Sequence, residues 1–163
     1  MSEVGAEGLL RAANVLSRPA EEFGNDPTLE LLWAEKAYQH AEVYFNLLCS
    51  VDPLLLRLTP ADDEIYQLFR QEFPDMKVAV INEDEMKSPA GKEKWRIFCE
   101  KFKDKVEDYS FGTLLRIDCS EDYSPENSTL VTRIQFYAVE SARNREGHNS
   151  GVRSKYRQKL QDT

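Results

Sequence analysis

Gly112-Thr113-Leu114-Leu115-Arg116-Ile117-Asp118-Cys119 and Leu130-Val131-Thr132-Arg133-Ile134-Gln135-Phe136-Tyr137-Ala138-Val139-Glu140 are the two runs that decide the fold. The first is rich in β-forming residues and begins where a helical period stops. The second alternates, with Ile134, Phe136 and Ala138 to one side and Arg133, Gln135 and Tyr137 to the other. Between them, Ser120 to Asn127 is polar and carries Pro125, which marks a loop. The pair predicts a long antiparallel hairpin. Ile134, Ala138 and Ala142 also suit a helical face, which leaves open an early end to the second strand.

Most of the chain upstream reads as helix. Asp26-Pro27 opens the strongest one, an aspartate able to cap free amides and a proline at the first helical position, where a missing N–H costs nothing. Leu29, Leu32, Trp33, Ala37, Ala41, Tyr44, Leu48 and Val51 follow at helical spacing and make one apolar stripe. Thr59-Pro60-Ala61-Asp62 resembles a capping box and starts a helix whose buried face is Ile65, Leu68, Phe69 and Phe73, stopped by Pro74. Ser88-Pro89 starts another, with Trp95, Phe98, Cys99, Phe102 and Val106 inward. Val78 to Ile81 fits a short strand, Leu9 to Leu16 a short helix, and Phe23-Gly24-Asn25 a turn. The fold class this predicts is α+β, a mainly helical bundle with an antiparallel β-hairpin packed on it. Residues 1–7 read as a disordered N-terminus, 8–149 as a single globular domain, and 150–163 as a basic C-terminal tail.

Charge narrows the partners. The chain has 163 residues and a net charge of −8, which disfavours generic attraction to DNA or to anionic lipid. From Arg143 onward, six basic side chains face two acidic ones, so the end carries +4 and the rest −12. That end is either a solvated basic tail or a docking arm for something acidic.

Catalytic and metal motifs are missing. Seven glycines form no phosphate cradle, and no G-x-S-x-G elbow is present. Cys49, Cys99 and Cys119 are odd in number and lack C-x-x-C spacing, which argues against disulfides and zinc. His40 is expected to be a hydrogen-bonded core histidine, and Cys119 a small apolar residue ending a strand. The chain is therefore expected to be no enzyme, to use no metal or cofactor, to be monomeric, and to work in the cytosol.

One segment stands out: Glu140-Ser141-Ala142-Arg143-Asn144-Arg145-Glu146-Gly147-His148-Asn149. The planar guanidinium fork of arginine suits carboxylates and phosphates. Arg143, Asn144, Arg145 and Glu146, with Arg133, Gln135 and Tyr137 on the outward hairpin face, are the candidate partner-binding residues. An internal clasp, in which Arg143 or Arg145 pairs with Glu140, Glu121 or Asp122, is equally open.

Several stretches together resemble a known family. Asn25-Asp26-Pro27, Gln39-His40-Ala41-Glu42-Val43-Tyr44, Ser50-Val51-Asp52-Pro53, Lys92-Glu93-Lys94-Trp95-Arg96, Gly112-Thr113-Leu114-Leu115-Arg116 and Ala142-Arg143-Asn144-Arg145-Glu146-Gly147 look like the polysaccharide biosynthesis domain-containing protein 1 family. The match runs in order from about Leu16 to Asn149. Despite that name, the resemblance implies a dedicated chaperone that holds the nascent GTP-binding domain of translation elongation factor 1A at the ribosome. Two other classes stay open: a ribosome- or RNA-associated adaptor using Arg153 to Lys159, and a polysaccharide-modifying enzyme. Salt would abolish binding by the first, and the second would bind a sugar or methyl donor.

Overall fold

The computed structural model describes the backbone from residue 27 to 161 and the side chains from 31 to 156, apart from residue 33. The readings of residues 1–7, of the helix at Leu9 to Leu16, of the turn at residues 23–25, and of Asp26, Leu29 and Trp33 lie outside these described residues.

Among the described residues, six helices and one two-stranded sheet give the α+β architecture. They are α1 (Pro27–Ser50), α2 (Asp62–Glu72), α3 (Glu83–Met86), α4 (Pro89–Glu100), β1 (Gly112–Arg116), β2 (Ser128–Thr132), α5 (Arg133–Arg145) and α6 (Ser150–Gln161). A 3-10 turn, Pro53–Leu55, follows α1 and is capped by Asp52, whose carboxylate accepts from the Leu54 N–H at 3.0 Å.

Local chemistry sets most boundaries. Ser88 caps α4 by accepting from the Gly91 N–H at 3.0 Å. Gly91 has no substitute there: an added Cβ would stand 2.2 Å from the Glu85 carbonyl oxygen. At α2 the cap differs from the expected box. The buried Asp62 carboxylate reaches back to accept from the N–H groups of Leu58 and Thr59, at 2.6 and 3.1 Å.

The hairpin is shorter than the alternation predicts. The register pairs Gly112 with Thr132 and Arg116 with Ser128, and at Arg133 the chain turns directly into α5. A full capping box explains the switch. Thr132 Oγ1 accepts from the Gln135 N–H at 3.3 Å, while Gln135 Oε1 accepts from the Thr132 N–H at 2.8 Å. Helix formation then places Ile134, Ala138 and Ala142 on the core side, the alternative the sequence left open. Arg133, Gln135 and Tyr137 therefore lie on the first turns of a helix rather than on an outward strand face. The short apolar run upstream makes one antiparallel bridge, Val80 with Asp118.

The helices pack around this hairpin. α1 lies against β1 and α6, and α2 lies against α5. Trp95 of α4 stacks on Phe73 with centroids 4.3 Å apart, and Phe69 and Phe98 close the same aromatic cluster. Each large side chain sealed this way contributes roughly 1.5–3 kcal/mol. Residues 150–163, read as a tail, include α6, and Val152 and Tyr156 lie within the core. The charge on Lys155, which occupies the solvent side of the same helix, helped to hide that apolar spacing.

Candidate functional site

The most concentrated chemistry lies inside the molecule. Arg116, Glu140, Arg143 and Asn149 have no exposed surface, and Asn144 has almost none. Glu140, midway along α5, receives Arg143 Nη1 at 2.7 Å, the Tyr44 hydroxyl at 2.5 Å and Asn149 Nδ2 at 3.0 Å. The Arg116 guanidinium lies 3.5 Å from the same carboxylate and donates to Asn149 Oδ1 at 2.9 Å.

Two guanidinium groups against one carboxylate leave an unbalanced buried positive charge, which is costly unless its donors are met. Backbone carbonyls meet most of them, though Arg116 Nε is buried without a hydrogen-bond partner among the described residues. Arg143 donates from Nε to Val78 and from Nη2 to Arg116 and Ile117, at 2.7, 2.7 and 3.1 Å. Arg116 donates from Nη1 to Cys119 and Glu121, at 2.6 and 3.3 Å. Its guanidinium also lies over the Phe45 and Tyr123 rings, 5.5 and 5.9 Å from their centroids.

The electrostatics follow from this arrangement. Burial alone would raise the Glu140 carboxyl, but Arg116 and then Arg143 outweigh it and hold the group below the usual carboxylate range. Burial, with Glu140 beside it, pushes the Tyr44 phenol well above its ordinary value. A sealed ion cluster of this kind offers no donor or acceptor to an outside molecule. It ties α1, β1, α5 and the start of α6 to one another.

The seven candidate partner-binding residues separate accordingly. Arg143 and Asn144 are core residues, which corrects their placement at an exposed site: the helix that begins at Thr132 rotates both inward. Arg145 points out and pairs with Asp63 at 2.5 Å, its guanidinium 5.0 Å from the Tyr66 ring centroid. Glu146 accepts two hydrogen bonds from Arg70, at 2.6 and 2.7 Å, and one from Tyr66 at 2.9 Å. Arg70 holds the Glu146 carboxyl below its usual range. Arg133 lies 3.8 Å from Asp108, Gln135 is spent on the capping box, and Tyr137 packs partly buried against the core. Every charged member of the segment has a partner within the chain. The clasp reading describes its geometry.

Sequence reasoning missed Tyr44, Arg116 and Asn149 as members of one cluster. The Thr132…Gln135 spacing was a readable signal for the helix start. The convergence of the three was not, because the segments that carry them are far apart in the chain.

The remaining candidates are modest. His40 is exposed rather than core, with Nδ1 3.4 Å from Thr113 Oγ1 and its ring edge-on to Phe136. Its ring nevertheless packs against Thr113 and Phe136, and that partial desolvation, then Arg133, lowers its pKa. Cys49, Cys99 and Cys119 are free and buried, and Cys119 Sγ donates to the His148 carbonyl at 3.4 Å. Among the described residues, no group of three His, Cys, Asp or Glu is arranged to hold a metal, and no helix is long and apolar enough to cross a membrane.

The whole network falls within a span, residues 29–154, that matches the model of the family described as PBDC1 protein. The chain belongs to the PBDC1 family. Protein PBDC1 of Mus musculus is 54% identical over 88% of this chain and 72% of its own length. The Homo sapiens protein is 54% identical over 88% of this chain, which spans only 62% of that protein. The PBDC1 homolog of Saccharomyces cerevisiae is 44% identical over 82% of this chain and 94% of its own. The solution NMR structure of protein yst0336 from Saccharomyces cerevisiae superimposes with a TM-score of 0.74, covering 83% of this chain and 95% of that one at 44% identity. The PBDC1 fold described here, with its helices around a short hairpin, is thus similar to one seen in solution.

Proposed function

We propose that this PBDC1 protein is a binding protein for an unfinished client, and that the client is the nascent GTP-binding domain of elongation factor 1A. One observation carries the binding reading. With the polar cluster turned inward, large apolar side chains remain on the surface along α1 and the turn after it. Val43 and Leu47, one helical turn apart, are 69% and 42% exposed, and Leu54 and Leu55 follow at 59% and 79%. Exposed apolar surface of this kind suits a protein-binding role. An incompletely folded GTPase domain exposes matching apolar surface and unpaired strand edges. Nucleotide binding would finish the client's fold and release it, because the nucleotide favours the finished state alone. That cycle needs no catalysis and no cofactor from the chaperone, and it belongs in the cytosol.

The family resemblance supplies the identity of the client. A pull-down of this chain from translating cells, compared with cells blocked in translation, tests it. The elongation factor 1A signal should be strong in the first and fall in the second. A signal that persists unchanged under the block, or none in either, overturns the proposal.

A further inference from the structure

Two surface cavities flank Met86 and Trp95, which line both: one of about 640 Å3 between α4 and the segment from Phe73 to Asn82, and one of about 620 Å3 between α4 and the hairpin. Val80, 55% exposed, stands in the first and Leu130, 43% exposed, in the second. The second is a groove with β2 as one wall, and the hydrogen bonds of the hairpin show which way that strand faces. The Ile117 N–H donates to the Asn127 carbonyl at 2.8 Å, which makes those two a hydrogen-bonded pair, and such pairs alternate along an antiparallel ladder. Thr113 and Leu115 therefore make the ladder bonds, to Val131 and Thr129. The intervening Ser128 and Leu130 turn their N–H and C=O groups away from β1. No partner meets those of Leu130 among the described residues.

We propose that this groove takes an extended polypeptide segment, which adds to the open edge of β2 and sets its apolar side chains into the cavity. An unpaired strand edge supplies main-chain affinity, and flanking pockets select alternate side chains. Charge chooses the kind of segment. The cavity beside β2 is lined by Lys87, Lys92 and Arg96 against one carboxylate, Glu100, on a chain whose net charge is −8. Arg96 is held by Glu93 and Glu100, and Lys87 lies 2.8 Å from Thr129 Oγ1 and 3.7 Å from Glu83. Lys92 makes no ion pair among the described residues. That one unpaired lysine at the mouth of the cavity favours an apolar segment that also carries an acidic side chain within reach of Lys92. A second copy of the chain is a poor fit, because two β2 edges brought together by a two-fold axis would also bring their basic rims together.

This deepens the proposed function and rests on it only for the source of the segment. The test is an NMR titration of the isotope-labelled chain with three sets of synthetic peptides. One set tiles the GTP-binding domain of elongation factor 1A, one is an unrelated alternating acidic–apolar sequence, and one is that sequence with lysine in place of the acids. The acidic peptide should perturb the Leu130 amide and the Trp95 indole and bind more tightly than its lysine counterpart. Leu130→Pro removes an outward N–H together with the leucyl side chain in the cavity, Leu130→Ala removes the side chain alone, and Lys92→Glu reverses an exposed charge; the first and third should each weaken that binding about tenfold, and Leu130→Ala by less than Leu130→Pro. Binding of the unrelated acidic peptide here, with no elongation factor tile binding anywhere, supports the groove and counts against the client. Tiles that perturb only α1 leave the client standing and overturn the groove. No binding by any peptide, or dimerisation through β2, also overturns it.

Discussion

The guanidinium of Arg116 lies 3.5 Å from the carboxylate of Glu140, and neither side chain has any exposed surface. One residue ends a strand and the other sits midway along a helix, so the contact exists only in the folded chain. Arg143, three residues beyond Glu140 on α5, completes the pair at 2.7 Å.

Removing the one negative charge should therefore cost more than any surface substitution. Glu140→Gln keeps the shape but leaves two buried cations facing each other, and breaking a buried pair from one side costs about 3–5 kcal/mol. Equilibrium urea denaturation measures it. A loss below about 1 kcal/mol would mean that the carbonyls alone neutralise both arginines.

The two arginines of the Arg143–Arg145 pair should behave oppositely. Arg143→Lys keeps the charge but puts three donors on one nitrogen in place of a planar fork that makes four bonds, to Val78, Glu140, Arg116 and Ile117, so it should lose roughly 2–4 kcal/mol. Arg145→Ala removes a contact to an exposed aspartate and should leave the denaturation midpoint nearly unchanged. Equal losses would contradict the burial assigned to the two side chains.

Acid should weaken the fold in two stages. The His40 pKa is lowered, so its unfolded form binds a proton first, and stability falls as pH drops below about 6.5. Glu140 and Glu146 are also lowered; their contribution is complete above about pH 4.3 and is lost as pH falls through their folded values. Asp62, raised by burial, works in the opposite sense and softens the second stage. Thermal melts between pH 3 and 8 (about five points suffice) should show His40→Gln losing the upper stage and Glu140→Gln part of the lower one.

The final helix should be needed for stability. Val152→Ala empties a fully buried site and should cost about 1–3 kcal/mol. Deleting residues 150–163 should lower the melting temperature further, since Tyr156 also leaves the core. A truncated chain as stable as the full one would return this segment to the status of a tail.

Apolar spacing alone marked α1, α2 and α4, because a stripe at helical period leaves a chain one way to hide it. Proline and capping residues fixed several of their boundaries just as locally. The length of β2 was ambiguous for an equally local reason: Ile134, Phe136 and Ala138 satisfy a period of two, while Ile134, Ala138 and Ala142 satisfy the helical one. The capping box at Thr132 and Gln135, together with burial of the helical face, resolved it.

The sequence by itself determined the class of the fold, three of the six helices among the described residues, and the importance of the segment around Arg143. Tertiary structure alone decided that Arg143 faces inward and Arg145 outward, and that Tyr44, Arg116, Glu140 and Asn149 form one cluster. The physical reason is that a charged side chain reads as exposed until its partners are known. Here those partners are carbonyls and a carboxylate from distant segments, which the chain gathers only on folding.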